Sequence, residues 1–222
     1  MNFLFDVDNT LTAPRSQLDG EFKSFLMDWV SDKSVYIVSS IGYERLKWQL
    51  DGLEQYVAGV FGSSGNELWA GGVSIYANEV EWSEYTIEYL SSLVKSSRTE
   101  FTTGNYIEYR VGALNISPIG IDAPVDEKTK YKELYPNELL QMRAQIVTCF
   151  HGFHVSYGGG TSLEVCIYGK EQVLDHMKPP VTFFCDRAYP GGNDYELSRC
   201  LLDEDVVQVT CWQDTYEILK NE

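Results

Sequence analysis

Three observations predict an α/β fold, with a Rossmann-like parallel-sheet core and an inserted α+β cap. Short apolar runs alternate with helix-period segments at the start of the chain, the middle switches to hairpin patterning, and a buried-type strand returns after residue 180. Phe3-Leu4-Phe5 is an apolar run stopped by acidic and turn residues, as a buried parallel strand is. Phe22, Phe25, Leu26, Trp29 and Val30 follow at helical spacing. Val35-Tyr36-Ile37-Val38 is a second β-rich run and ends at Ser39-Ser40. Leu46, Leu50 and Leu53 restore the helical period over 43–53, and Val57 to Phe61 reads as a third strand.

The middle of the chain has a different grammar. Residues 106–119 read as two strands around a turn at Val111-Gly112, and 153–168 as a second hairpin interrupted by Gly158-Gly159-Gly160. Between them, Leu139, Met142, Ile146 and Phe150 share one face of a helix over 137–150. The acidic stretch Glu79 to Glu84 reads as a solvated helix face near the first crossing between domains. Val181 to Phe184 is again a buried parallel-type strand, followed by a short helix near 195–202, a strand over 206–209 and a closing helix over 215–220. The expected organisation is a discontinuous catalytic core, 1–80 with 175–222, and a cap over 81–174.

Charge narrows the function classes. Among 222 residues, 17 Lys and Arg face 33 Asp and Glu, a net charge of −16. This argues against nucleic acid or an anionic membrane surface as partner, since both require a basic footprint, but not against a small phosphorylated substrate. Five cysteines, with no C-x-x-C spacing, read as scattered thiols in a reducing compartment. The apolar run before Asp6 is too short for a signal peptide, and no stretch approaches the roughly 18 apolar residues of a membrane span. A soluble, cytoplasmic protein is expected. His151 and His154 stand at i, i+3 without an evident third metal ligand, and the five tryptophans are spread as packing residues.

Asp6-Val7-Asp8-Asn9-Thr10-Leu11-Thr12 directly follows the first strand. Ligands of an open α/β sheet bind at the carboxyl ends of its strands. Two carboxylates at i and i+2 there can divide labour, one attacking phosphorus and the other moving a proton. Such oxygen donors suit Mg²⁺. Asp186 ends a late strand and leads into Pro190-Gly191-Gly192-Asn193-Asp194, where acidic side chains can close a metal site and glycine lets backbone approach ligand. Ser39, after the second strand, offers a hydroxyl to a phosphate oxygen.

The segment Asp6 to Arg15 resembles the opening of eukaryotic-type phosphomannomutases of the haloacid dehalogenase superfamily. The resemblance recurs in order at Ile107 to Gly120, with Leu114-Asn115-Ile116-Ser117-Pro118-Ile119-Gly120 its most specific part, at Gly158-Gly159 leading to Ser162, and at Phe183 to Glu196. It implies a Mg²⁺-dependent interconversion of mannose 6-phosphate and mannose 1-phosphate, with a hexose bisphosphate activator and a homodimer through the cap. Asp6 is then the nucleophile that becomes an aspartyl phosphate, and Asp8 the acid/base, its backbone carbonyl facing the metal. Asp186 is the metal carboxylate, with Asp194 nearby. Arg15, Arg110, Asn115, Lys128, Ser162 and Glu164 take the substrate-binding positions. The nearest candidate for the superfamily's phosphate-neutralising lysine is Lys170, two residues short of the expected spacing. Ile121 and Lys128 stand where the family carries arginine, and Glu164 where it carries aspartate. Arg grips phosphate by a bidentate fork that an ammonium lacks. A sugar-phosphate phosphatase of the same superfamily is therefore the alternative.

Overall fold

The computed structural model describes residues 1–101 and 103–221 and divides the chain into two compact units, Met1–Asn78 with Gly169–Glu222, and Glu79–Tyr168. The second crossing thus falls at Gly169, six residues before the expected 175, so Lys170 belongs to the discontinuous unit and not to the insert. The reason is local: residues 170–176 form a 3-10 helix whose Val173 packs in the discontinuous unit's own core, beside Phe61 and Phe183.

That unit is built on a seven-stranded sheet. Strands β1 (Asn2–Phe5), β2 (Ser34–Val38) and β3 (Gly59–Gly62) come first, then β4 (Glu67–Ala70) and β5 (Val73–Ala77). After the insert come β10 (Val181–Cys185) and β11 (Val206–Gln208), which complete the order β11-β10-β1-β2-β3-β4-β5. The five strands from β11 to β3 are parallel, whereas β4 pairs antiparallel with β3, and β5 antiparallel with β4. Chain order moves outward from β1 in one direction and returns on its other side, so β1 is the switch point where such sheets open a crevice.

Side-chain alternation explains why these strands are apolar nearly throughout. Phe3, Phe5, Val35 and Ile37 enter one core with Phe22 and Leu26 of α1 (Gly20–Trp29), Leu46 and Leu50 of α2 (Tyr43–Leu50), and Leu219 of the closing helix, Trp212–Lys220. Leu4, Val38, Phe61 and Phe183 face the opposite side, with Val173 and with Leu197 of the short helix Tyr195–Arg199. Asp19 caps α1, its carboxylate accepting from the backbone N–H groups of Glu21 and Phe22.

In the other unit, β6 (Ile107–Arg110), β7 (Ala113–Ile116), β8 (His154–Gly158) and β9 (Ser162–Cys166) form an antiparallel sheet in the order β6-β7-β9-β8. Its apolar face, with Leu114, Ile116, Val155, Leu163 and Val165, packs with α3 (Glu84–Lys95), α4 (Val125–Leu134) and α5 (Glu138–Cys149) through Leu90, Tyr131, Met142 and Ile146. The acidic stretch is not a helix face, for only Glu84 of it is helical and Ser83 accepts from the Thr86 N–H as the N-cap. Trp48 is half exposed, so it does not pack in the core as expected, while Trp29, Trp69 and Trp212 lie against the core of the discontinuous unit. The five cysteines are free thiols. No helix among the described residues is long and apolar enough to cross a membrane.

Candidate active site

Parallel strands deliver their ends to one edge, and three of the expected residues arrive there together. Asp6 follows β1, Ser39 follows β2 and Asp186 follows β10. The ladder continues one step past β1, since the Asp6 N–H donates to the Phe184 carbonyl at 2.9 Å, which anchors the backbone under the carboxylate. The chain then turns back on itself. The Val7 carbonyl accepts from the N–H groups of Thr10, Leu11 and Thr12, and Asn9 takes the left-handed conformation at φ 66°, which Asn tolerates better than most residues.

Around this turn the acids gather. Carboxylate oxygens of Asp6, Asp186 and Asp194 lie within 4.8 Å of one another. The Lys170 Nζ donates to Asp6 Oδ1 and to Asp194 Oδ1, each at 2.6 Å, and all three side chains of this chain of contacts are buried. Asn9 Nδ2 donates to Asp186 Oδ2 at 2.8 Å, and the Arg187 N–H donates to Asp194 Oδ2 at 3.2 Å. Gly192 makes the loop before Asp194 feasible, because a Cβ there would stand 2.0 Å from the Arg187 carbonyl oxygen.

The electrostatics follow from one ammonium among three carboxylates. Burial, then repulsion from Asp194, holds the Asp6 carboxyl well above the usual carboxylate range despite Lys170, and Asp186 adds to the rise. Burial likewise raises Asp186, with Asp194 adding to the rise and the Asn9 amide offsetting part of it. Burial alone would depress Lys170, but Asp194 and Asp6 outweigh it and raise it, so the lysine stays charged. The same burial and neighbouring carboxylates push the Cys185 thiol up and keep it protonated. Excess negative charge carried by oxygen donors is what a hard divalent cation neutralises, so the donor set fits such an ion.

Asp8 stands apart from this cluster. Its carboxylate is not in the group of three; Asp8 Oδ1 accepts instead from the Arg15 N–H at 3.0 Å and from Gln49 Nε2 at 2.9 Å. As a side-chain metal ligand, therefore, Asp8 is not brought together with Asp6, Asp186 and Asp194. Ser39 is buried, and its Oγ accepts from the Ile41 N–H at 3.4 Å. The side chain of Arg15 is exposed, and its backbone sits at φ 58°.

In the other unit, register lines up a polar row on the face of the sheet opposite its apolar core. Glu108, Asn115, Glu164 and Ser156 pair in turn across β6, β7, β9 and β8. Arg110 is held between two acids, its Nε and Nη2 donating to Glu108 Oε2 at 3.0 and 2.5 Å and its Nη1 to Glu164 Oε2 at 3.2 Å. Asn115 Nδ2 also donates to Glu108 Oε2, at 3.1 Å. Ser162 Oγ donates to the Gly158 carbonyl at 2.6 Å, and Lys128 Nζ to the carbonyl of the buried Ile121 at 2.9 Å.

Sequence reasoning passed over Asn9, Gln49 and Glu108. Gln49 had a signal: it interrupts an apolar stripe with Leu46, Leu50 and Leu53, so a polar group was due at a core position. Glu108 and Arg110, two apart on a strand, share a face.

A family model described as eukaryotic phosphomannomutase matches residues 64–221. Phosphomannomutase 1 of Mus musculus is 28% identical over 215 residues, covering 87% of this chain and 81% of its own length. A phosphomannomutase of Saccharomyces cerevisiae is 29% identical over 244 residues, covering 97% and 91%. Among solved structures, the IMP-nucleotidase of Plasmodium falciparum superposes with a TM-score of 0.66 at 16% identity, covering 99% of this chain and 67% of that one. The trehalose-6-phosphate phosphatase C-terminal domain of C. albicans superposes with a TM-score of 0.67 at 13% identity, covering 99% and 90%. These structures share the fold.

Proposed function

This chain belongs to the eukaryotic phosphomannomutase family, and from that premise we propose that it interconverts mannose 6-phosphate and mannose 1-phosphate through a phosphorylated Asp6. The observation that carries the proposal is the Asp6 carboxylate at the tip of β1, buried, with Lys170 on one oxygen and Asp186 and Asp194 beside it. A hexose bisphosphate primes the enzyme. An Asp6 oxygen attacks phosphorus, the bond from phosphorus to the sugar oxygen breaks with its electron pair on that oxygen, and Asp8 supplies the proton. A hexose monophosphate then presents its free hydroxyl. Asp8 takes the proton back as that oxygen attacks the phosphoryl group, and Asp6 is regenerated with a bisphosphate bound. After the bisphosphate turns over, Asp6 takes its other phosphoryl group and the second isomer leaves.

Lys170 offsets charge on the phosphoryl oxygens throughout, the effect that contributes most in such reactions. Mg²⁺ supplies further compensating charge there when bound, held by Asp6, Asp186 and the Asp8 backbone carbonyl with Asp194 alongside. Ser39 donates its hydroxyl to the phosphoryl group. Arg15, Arg110, Asn115, Lys128, Ser162 and Glu164 serve the sugar phosphate. The working form is a cytoplasmic homodimer joined through the cap.

A second reading, hydrolysis of a sugar phosphate, is favoured by two observations. The fork of Arg110 is engaged by Glu108 and Glu164, and Ile121 is buried where the family carries arginine. A weak grip on the second phosphate lets the bisphosphate escape and water take the phosphoryl group. One experiment separates the readings. Mannose 1-phosphate and Mg²⁺ are incubated with the protein, with and without hexose bisphosphate, and both isomer and free phosphate are followed. Bisphosphate-stimulated isomer formation, lost in Asp6→Asn, is expected; free phosphate alone would select hydrolysis, and turnover unchanged by Asp6→Asn would remove both.

A further inference from the structure

The last turn of α2 carries a side chain that core packing does not account for. Gln49 is fully buried, as are its stripe neighbours Leu46 and Leu50. A leucine would fill such a position without loss, whereas a buried amide requires partners for every polar atom. Gln49 finds them on one side only. Its Nε2 donates to Asp8 Oδ1 at 2.9 Å, to Thr12 Oγ1 at 3.3 Å and to the Ser16 carbonyl at 3.4 Å, while its Oε1 is buried with no hydrogen-bond partner. An orphaned buried acceptor carries a desolvation penalty that no partner offsets. The amide thus gives up its acceptor end to aim its donor end at the loop that follows β1.

The backbone of the same turn fastens that loop. The Leu18 N–H donates to the Gln49 carbonyl at 2.9 Å, and Gln17 Nε2 to the Trp48 carbonyl at 3.1 Å. At Asp8, the Gln49 amide and the Arg15 N–H converge on the same oxygen, Oδ1. No described residue donates to Oδ2. A carboxylate pinned by one oxygen points the other in a set direction.

We propose that Gln49 is the positioning residue for proton transfer: by holding Asp8 Oδ1 it aims Oδ2 at the sugar oxygen that leaves phosphorus. This rests on the reading of Asp8 as the acid/base. In the step concerned, the bond from phosphorus to sugar oxygen breaks, the electron pair stays on the oxygen, and the proton on Asp8 Oδ2 passes to it. A sugar alkoxide requires that proton. A p-nitrophenolate leaves without it.

The test compares first-turnover rates of Gln49→Leu, Gln49→Met and Asp8→Asn with two phosphoryl donors, a hexose phosphate and p-nitrophenyl phosphate. Thermal unfolding reports whether each variant is folded. Both Gln49 variants are expected to slow transfer from the hexose phosphate about 10²-fold, within the range for a lost acid/base, with KM unchanged, and to keep the p-nitrophenolate burst within about threefold of wild type. Asp8→Asn should show the same selectivity more strongly. Equal losses with both donors would make Gln49 a purely structural residue, and no loss with either would remove its role; each result overturns the proposal while leaving Asp8 in place. If Asp8→Asn itself lacks the selectivity, the reading of Asp8 falls, and this proposal with it. A Gln49→Leu chain that does not fold leaves the decision to Gln49→Met, which keeps the volume with a more adaptable side chain.

Discussion

Each unit sets a single cation among acids, three carboxylates around an ammonium in one and two around a guanidinium in the other. At the edge of the parallel sheet, one ammonium, Lys170, serves Asp6 and Asp194 with Asp186 close by. On the antiparallel sheet, one guanidinium, Arg110, lies between Glu108 and Glu164. In the first cluster three acids face one cation, and burial, complete for Asp6 and partial for Asp186, raises both carboxyls. In the second, a planar fork matches two carboxylates and satisfies them directly. The contrast teaches that the first cluster is left electrostatically incomplete, which suits the cation and phosphoryl group proposed for it. In the polar row of the other unit, Arg110 is already engaged by Glu108 and Glu164, while Asn115 Oδ1 is buried without a partner.

The most damaging way to break the comparison is to remove the ammonium. Lys170→Met leaves Asp6 and Asp194 buried and uncompensated, so a loss of about 3–5 kcal/mol in stability is expected in chemical denaturation, together with loss of turnover beyond about 10³-fold. Added Mg²⁺ should restore part of the stability and little of the rate.

In the other unit, Glu164→Gln removes one arm of the clasp on Arg110. About 1–3 kcal/mol of stability should go, because the side chains are almost fully buried. The loosened fork becomes available to phosphate, so the ratio of isomer to free phosphate should rise. An unchanged ratio would show that the clasp does not govern the second phosphate.

Asp186→Asn sharpens the comparison from the other side, since it should stabilise the metal-free protein. The folded carboxyl of Asp186 is raised above its ordinary value of 3.8. The folded state therefore prefers the protonated acid, and stability falls as pH rises through the raised value. The amide relieves that penalty near pH 7 and has no penalty to relieve at a pH below 3.8. A gain of about 2–4 °C in Tm at neutral pH, absent in acid and accompanied by a weaker response to Mg²⁺, is the expected pattern. As a control remote from both clusters, Asp19→Ala should cost about 1 kcal/mol through its helix cap and move neither turnover nor the product ratio.

Some elements were legible because their signal is local. Phe3-Leu4-Phe5 stopping at Asp6, and Leu46 and Leu50 on one stripe, carry their structure within a few residues. Helix α4 was not legible, for only Tyr131 in it is buried and no apolar stripe forms. The β4–β5 hairpin carried a signal that went unread: Gly71-Gly72, both at positive φ, is a favoured two-residue hairpin turn, but the exposed strand after it shows no buried alternation.

What the sequence determined by itself is therefore the chemistry available: carboxylates at the end of an apolar strand, a glycine-rich acidic loop, and a middle segment whose strands pair by simple alternation. Only the tertiary structure decided which of those groups meet. Lys170 reaches Asp6 across 164 positions, Arg110 reaches Glu164 across 54, and Gln49 reaches Asp8 across 41. Periodicity and turn chemistry act over a few residues, whereas contacts at such separations depend on how whole elements pack, and no local pattern carries that information.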